Sequence, residues 1–315
     1  MQELLHYAPV MNAIRAYTAG DPVGLVYEQM ETPQPGKGEA LIRVNAAAIT
    51  RDELDWPADR LPAIPSYEFS GVVVAHGPGA EDLPIGEPVY ALSPFDRDGA
   101  AAEYIAVSEE YLAPKPRSLD YLESAVIPLA ALSAWQGLFD HGQLAKGQRV
   151  LIHGAAGGVG AYAVQLAHHR GAYVIGSAST TNIELVRNLG ADQVVDHTTA
   201  RFEEGLEPVD LVFDTVGGDR LERSPSTVRP GGRLVSVATE PSQEAAAARG
   251  IKAVYFVVEP NRAQLIEIGK LADRGELRPT IAGVFTLSEA QKAFEHSLNA
   301  RKAGKFVLRI GEAQG

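Results

Sequence analysis

Short runs of alternating apolar and polar residues, each closed by Gly or Pro, fill the chain from Met11 to about Lys115. Period-two alternation between such breaks predicts strands, here over residues 12–17, 40–45, 69–76, 89–92 and 104–107, and a small β-barrel. After Pro114-Lys115-Pro116 the texture changes. Apolar strands now alternate with segments of helical period, which is the mark of βαβ units on a parallel sheet. Strands are predicted at 150–152, 173–176, 194–195, 209–213, 234–237, 251–258, 280–285 and 305–310. One helix carries Val159, Ala163, Leu166 and Ala167 on a single face and ends at Gly171. A second is opened by a Thr181-x-x-Glu184 capping box, turns Ile183, Val186 and Leu189 inward and closes at Gly190. Asn261 with Gln264 caps a further helix, and Ser288 caps the last. Residues 1–10 precede the first strand and read as an extension without fixed structure.

The length of 315 residues allows about two domains. Lys plus Arg number 28 against 40 Asp plus Glu, a formal charge of −12 that repels phosphate backbones and anionic lipid, so no nucleic-acid partner is expected. The sequence has no Cys, which removes disulfides, thiolate metal sites and cysteine nucleophiles and fits a reducing, cytoplasmic setting. The most apolar stretch, 125–135, is interrupted by Pro128 and Ser133 and is far shorter than the roughly 20 residues that cross a bilayer. Neither a membrane span nor a secretory signal is expected.

The segment 153–160, HGAAGGVG, lies between a predicted strand and a predicted helix. Against Gly-x-Gly-x-x-Gly, Ala155 stands first, Gly157 second and Gly160 third. The second position lets backbone approach a pyrophosphate, and the third lets helix and sheet pack closely. With Ala156, Gly158 and Val159, these residues present a helix N-terminus to phosphate. A dinucleotide site follows. A tight turn without a ligand is the plainer alternative. Where NAD-selective proteins carry an acid at the end of the second strand, this chain reads Gly176-Ser177-Ala178-Ser179, so NADP(H) is favoured, with Ser177 and Thr181 near the 2′-phosphate. Ordinary strand-end and helix-cap chemistry stands beside that role.

The ordered set HGAAGGVGAYAVQLA, GSAST, LGADQVVDH and GKFVL resembles the zinc-independent quinone oxidoreductase branch of the medium-chain dehydrogenase/reductases. So do AIRAYTAGDP, SYEFSGVVVAHGPG, DGAAAEYIAV and PLAALSAWQGLF in the first half. The resemblance implies an α/β architecture: a GroES-like barrel on the substrate side and a doubly wound Rossmann domain for NADPH, with a cleft between them. The barrel is expected over 1–122, completed by 262–315, and the Rossmann domain over 123–261. It further implies that His197 lies near the 2′-phosphate, and that Val216, Ala238, Phe256 and Val257 border the nicotinamide half. A surface His is the alternative for His197. Zinc-dependent relatives place ligands where this chain has Thr50 and Tyr67-Glu68, so no catalytic zinc is expected. A homodimer is expected too, built on an edge strand 251–258.

Without a metal to polarise an alcohol, reduction of a quinone or enone is the favoured reaction. Thr50 and Tyr67 are candidate donors to the carbonyl, and Asp52 a candidate to shape the pocket. Tyr67 reads slightly better as a barrel aromatic with its hydroxyl at the rim, and Trp56 as a packing residue of the same loop, the alternative being that it lines an aromatic substrate. A non-catalytic NADPH-binding partner and an enoyl-thioester reductase remain alternatives.

Overall fold

A computed structural model describes residues 7–299 and 303–311. In chain order the strands are β1 Val10–Ala16, β2 Leu25–Glu31, β3 Glu39–Ile49, β4 Glu68–His76, β5 Pro88–Leu92, β6 Tyr104–Ser108, β7 Ala113–Pro114, β8 Arg149–His153, β9 Tyr173–Ala178, β10 Gln193–Asp196, β11 Val209–Asp214, β12 Val228–Ser236, β13 Lys252–Tyr255, β14 Ile281–Thr286 and β15 Lys305–Arg309. The helices are α1 Tyr121–Ala125, α2 Pro128–Trp135, α3 Gly158–His169, α4 Ile183–Asn188, α5 Gly218–Arg223, α6 Gln243–Ala248, α7 Arg262–Asp273 and α8 Ala290–Asn299.

Two compact units result: 1–129 with 259–275 and 279–315, and 130–258 with 276–278. In the first, β14, β15, β3, β4, β5 and β7 form a continuous ladder, β6 also pairs with β3, and β1 and β2 make a separate ribbon. All these pairings are antiparallel except β14 with β15. The unit runs past residue 122 because Ala125 and Val126 of the α1 segment pack on Ala46, Ala48 and Val307. The Asp120–Glu123 capping box opens that helix.

The second unit is a six-stranded sheet in the order β10-β9-β8-β11-β12-β13, parallel throughout. Its central strands β8, β9 and β11 and the end of β12 are largely buried, as a parallel sheet covered on both faces requires, while the edge strands β10 and β13 are half-exposed or exposed. On one face Leu151, Ile175, Val212 and Leu234 pack with Phe202 and Leu221.

Several local expectations give way to tertiary context. The Thr181-Glu184 box does not form: a 3-10 turn, Thr180–Asn182, leads into α4 without a side-chain cap, and the Thr181 hydroxyl lies 3.2 Å from Ser179 Oγ. Thr286 with Glu289, rather than Ser288, makes the capping box ahead of α8. The strand expected over 251–258 pairs only from Lys252 to Tyr255, at the sheet edge. β2 was hidden because its residues are largely exposed on a two-stranded ribbon. Of the expected extension, residues 1–6 lie outside the described residues. Tyr7 packs on Tyr104 and its hydroxyl donates to Gln34, while Val10 already belongs to β1.

Candidate functional site

The dinucleotide candidates gather where the parallel strands end. After β8, Gly154 takes φ +73° and turns the chain, and Gly157 is the N-cap residue of α3. No side chain caps that helix. A Cβ on Gly160 would lie 2.1 Å from the Gly154 carbonyl oxygen, so the helix meets its own turn only because position 160 is bare. Gly157 differs. It is exposed, its φ of −75° suits any residue, and a Cβ there would meet only the Gly154 oxygen at 3.1 Å. The chain's own packing therefore asks far less of Gly157 than of Gly160, while an approaching phosphate would require the bare backbone. Ala156 is buried beside it, and Gly158 and Val159 stand half-exposed in the first turn.

The neighbouring strands deliver the others to the same edge. Ser177 pairs in register with His153, and its carbonyl accepts from Ala155 N at 3.1 Å. Its side chain is wholly enclosed, and Oγ has no hydrogen-bond partner. Thr180 and Thr181 are the exposed hydroxyls beyond β9. His197 follows β10, half-buried, with Nδ1 buried and unpartnered. Val216 is exposed after β11, Ala238 follows β12, and Phe256 and Val257 follow β13. Phe256 packs on His141 at 4.4 Å between ring centroids, and Val257 is open to solvent.

Beneath this edge runs a buried polar row. His153, Asp214 and Ser236 occupy registered positions on β8, β11 and β12 and so share one face of the sheet. Asp214 accepts from Ser236 Oγ at 2.8 Å and from the backbone N–H groups of Val216 and Gly217, and Thr215 Oγ1 donates to the His153 carbonyl. These bonds fix the loop that carries Val216. Burial raises the Asp214 carboxyl, and its donors oppose that shift. Ser224 Oγ donates to the Arg220 carbonyl at 2.6 Å, so it accepts from His153 Nε2, 3.0 Å away. His153 is thus a neutral imidazole protonated on Nε2, and its unpartnered Nδ1 carries the lone pair.

In the first unit the three catalytic candidates separate. Asp52 is exposed and caps nothing. Tyr67 is fully buried in a triad with Trp56 and Phe95, at 5.6 and 5.3 Å between centroids. Its hydroxyl accepts from Arg60 at 2.8 Å. Burial pushes its pKa up to about 12, against the nearby Arg60 charge. Thr50 is half-buried and accepts at 3.0 Å from Lys305 Nζ, which is ion-paired with Glu68. Glu68 also accepts from Leu129 N at 2.9 Å. Beside them lies Glu53, fully buried, with Oε2 unpartnered. Burial raises its carboxyl well above the usual range; Lys305 opposes that and Glu68 reinforces it.

Sequence reasoning missed Glu53 and Lys305. The signal was present, since Glu68 and Lys305, of opposite charge, each head a largely buried strand. Among the described residues, no group of three or more His, Asp or Glu side chains could hold a metal ion, and none of the helices is long and apolar enough to span a membrane.

His153 gives a pH test of the polar row. Burial, with Arg220 and Arg223 nearby, lowers its pKa to about 3. Only the unfolded chain then takes up a proton near pH 6.5, so stability present above that value is lost as pH falls toward 3. Between pH 6.5 and 5 the loss amounts to about 2 kcal/mol. Melting of His153→Gln across this window should be less pH-dependent than melting of the unsubstituted protein. Parallel curves would remove the assignment.

Comparison with known proteins bears on the family and the fold. Residues 36–117 match the family model described as alcohol dehydrogenase GroES-like domain, and 189–308 match the one described as zinc-binding dehydrogenase. An NADPH-dependent alkenal/one oxidoreductase of Arabidopsis thaliana is 30% identical over 96% of this chain and 81% of its own. A 2-methylene-furan-3-one reductase of Solanum lycopersicum is 32% identical over 88% and 73%. The solved quinone oxidoreductase of Coxiella burnetii superposes with a TM-score of 0.90 at 32% identity, covering 96% of this chain and all of the other. With the barrel and the parallel sheet, these matches show that this chain belongs to the quinone oxidoreductase branch of the medium-chain dehydrogenase/reductase superfamily and is an oxidoreductase with a nicotinamide cofactor.

Proposed function

We propose that the protein is an NADPH-dependent reductase of quinones or α,β-unsaturated ketones. The single observation that carries the reading is the uncapped N-terminus of α3 behind a bare, exposed Gly157. It offers backbone N–H groups and the positive end of a helix dipole to a diphosphate. The unpartnered Nδ1 of His197 and the hydroxyls of Thr180 and Thr181, at the ends of β10 and β9, suit the adenosine end. NADPH over NADH is supported by the lack of an acid among residues 176–181. The Asp196 carboxylate nearby already accepts from the hydroxyls of Thr180 and Thr198.

When bound, a reduced nicotinamide supplies hydride. For an enone, a C–H bond forms at the β-carbon, the C=C π bond breaks and the electron pair moves onto the carbonyl oxygen. A proton from water then reaches the α-carbon. Relatives named for reduction of alkenals, ketones and quinones favour this class over alcohol oxidation. What the protein must contribute is an apolar face and a hydrogen-bond donor to the developing oxyanion. The rings of Trp56 and Phe95, half-buried and 4.9 Å apart, supply the first.

Two experiments follow. NADPH oxidation with 2-cyclohexenone and with 1,4-benzoquinone should proceed at least tenfold more efficiently than NADH oxidation. Equal or better use of NADH would overturn the cofactor assignment, and binding of NADPH without turnover of either acceptor would leave a non-catalytic binding protein. The edge strand β13, followed by exposed Val257, supports pairing with a second copy. Light scattering at micromolar concentration should then give twice the chain mass, and a monomer would remove the dimer.

A further inference from the structure

The reading above needs a donor to the substrate oxygen, and it leaves a buried ion pair in the barrel unit unused. Phe306 of β15 is in register with Ile49 of β3, and Glu68 of β4 with Ala48, so Lys305, Thr50 and Glu68 meet at one end of the same sheet. Lys305 is 8% exposed and Glu68 is fully buried, yet each carries a formal charge. Burying such a pair costs several kcal/mol per ion before the mutual attraction returns any of it. An apolar pair would hold three strands together without that cost.

The pair acts on Thr50. The ammonium, which only donates, gives one hydrogen bond to Thr50 Oγ1 at 3.0 Å. With a lone pair so engaged, the hydroxyl must direct its own proton elsewhere, and no acceptor for it exists among the described residues. Thr50 is half-buried, in contrast to the enclosed Glu68 and Lys305, so its hydroxyl proton is left for an incoming acceptor. A donor polarised by an adjacent cation makes a stronger hydrogen bond to an oxygen that is gaining negative charge than to a neutral carbonyl. Tyr67 likewise accepts from a cation, Arg60, but its side chain is wholly enclosed, so it is poorly placed to meet a substrate oxygen. Asp52 is ordinarily an acceptor.

We propose that Thr50 donates the hydrogen bond that stabilises the substrate oxyanion, and that Lys305, held by Glu68, is the positioning residue that orients and polarises the Thr50 hydroxyl. The inference rests on the reductase reading and adds to it a donor and the group behind that donor. Hydride still arrives from the nicotinamide and the final proton still comes from water, so neither residue is consumed or changes its charge.

The test uses the full chain with saturating NADPH and 2-cyclohexenone, together with NADPH titration by fluorescence and melting curves. Thr50→Val should lower kcat/KM at least tenfold with NADPH affinity unchanged, and Thr50→Ser should restore most of it. Lys305→Met alone would strand the Glu68 charge, so it is combined with Glu68→Gln. This double variant should lose tenfold or more with Thr50 present and less than threefold in the Thr50→Val background. Equal losses in both backgrounds would show that Lys305 acts only through the fold and would overturn its role. Thr50→Val activity within twofold of the unsubstituted protein would overturn the donor. If the unsubstituted protein binds NADPH but reduces no acceptor, the reductase reading fails first and this inference fails with it.

Discussion

The contact on which the second unit depends is the approach of the first turn of α3 to the Gly154 carbonyl. With a Cβ at position 160 only 2.1 Å from that oxygen, the helix would have to move off the strand that feeds it. Because Gly160 is bare, α3 starts directly beyond β8, with its unbonded N–H groups at the carboxyl end of the sheet. Everything placed around that point follows from the parallel topology. Every strand of this sheet ends on the same edge, so residues as distant in sequence as Gly157, His197, Val216 and Val257 gather there. The order reverses between β8 and β11, where open parallel sheets form their ligand crevice.

Polar burial in the two units follows one physical rule. A buried polar group must be paired or it raises the free energy of the fold. Asp214 obeys it fully and so ties down the loop after β11. His153 obeys it by half, staying neutral and giving its one proton to Ser224 while Nδ1 goes unpaired. Two of the atoms that break the rule, His197 Nδ1 and Ser177 Oγ, lie at the strand ends assigned to the dinucleotide. In the barrel unit Glu53 Oε2, beside the Lys305–Glu68 pair, and Asn45 Oδ1 are comparable exceptions.

Most of the architecture could be read from the chain because its signals are local. Glycine turns, apolar strands and the 153–160 loop each specify a few adjacent φ/ψ values, and the parallel strands came out nearly in place. Errors arose where one pattern admits two structures. Thr181-x-x-Glu184 has the composition of a capping box, but the exit from β9 winds into a 3-10 turn first. Residues 251–258 are apolar enough for a long strand, yet only four pair because the neighbouring β12 ends at Ser236. The Lys305–Thr50 contact spans 255 positions, and no sequence period reports a partner so far away. Glu53 was passed over for Asp52 because two adjacent acids look alike until the fold buries one and exposes the other.

The central claim is that the backbone at Gly157 faces the diphosphate of a dinucleotide, and the most direct measurement is NADPH affinity of Gly157→Val beside its melting temperature. The φ of −75° suits valine and its Cβ would need only a few tenths of an ångström from the Gly154 oxygen, so the variant should fold with a modest fall in melting temperature. Its dissociation constant for NADPH should rise tenfold or more, as expected when a charge-assisted hydrogen bond worth about 1.5–3 kcal/mol is lost. A folded Gly157→Val protein with unchanged NADPH affinity would mean that the phosphates bind elsewhere, and the assignment of this edge would be wrong.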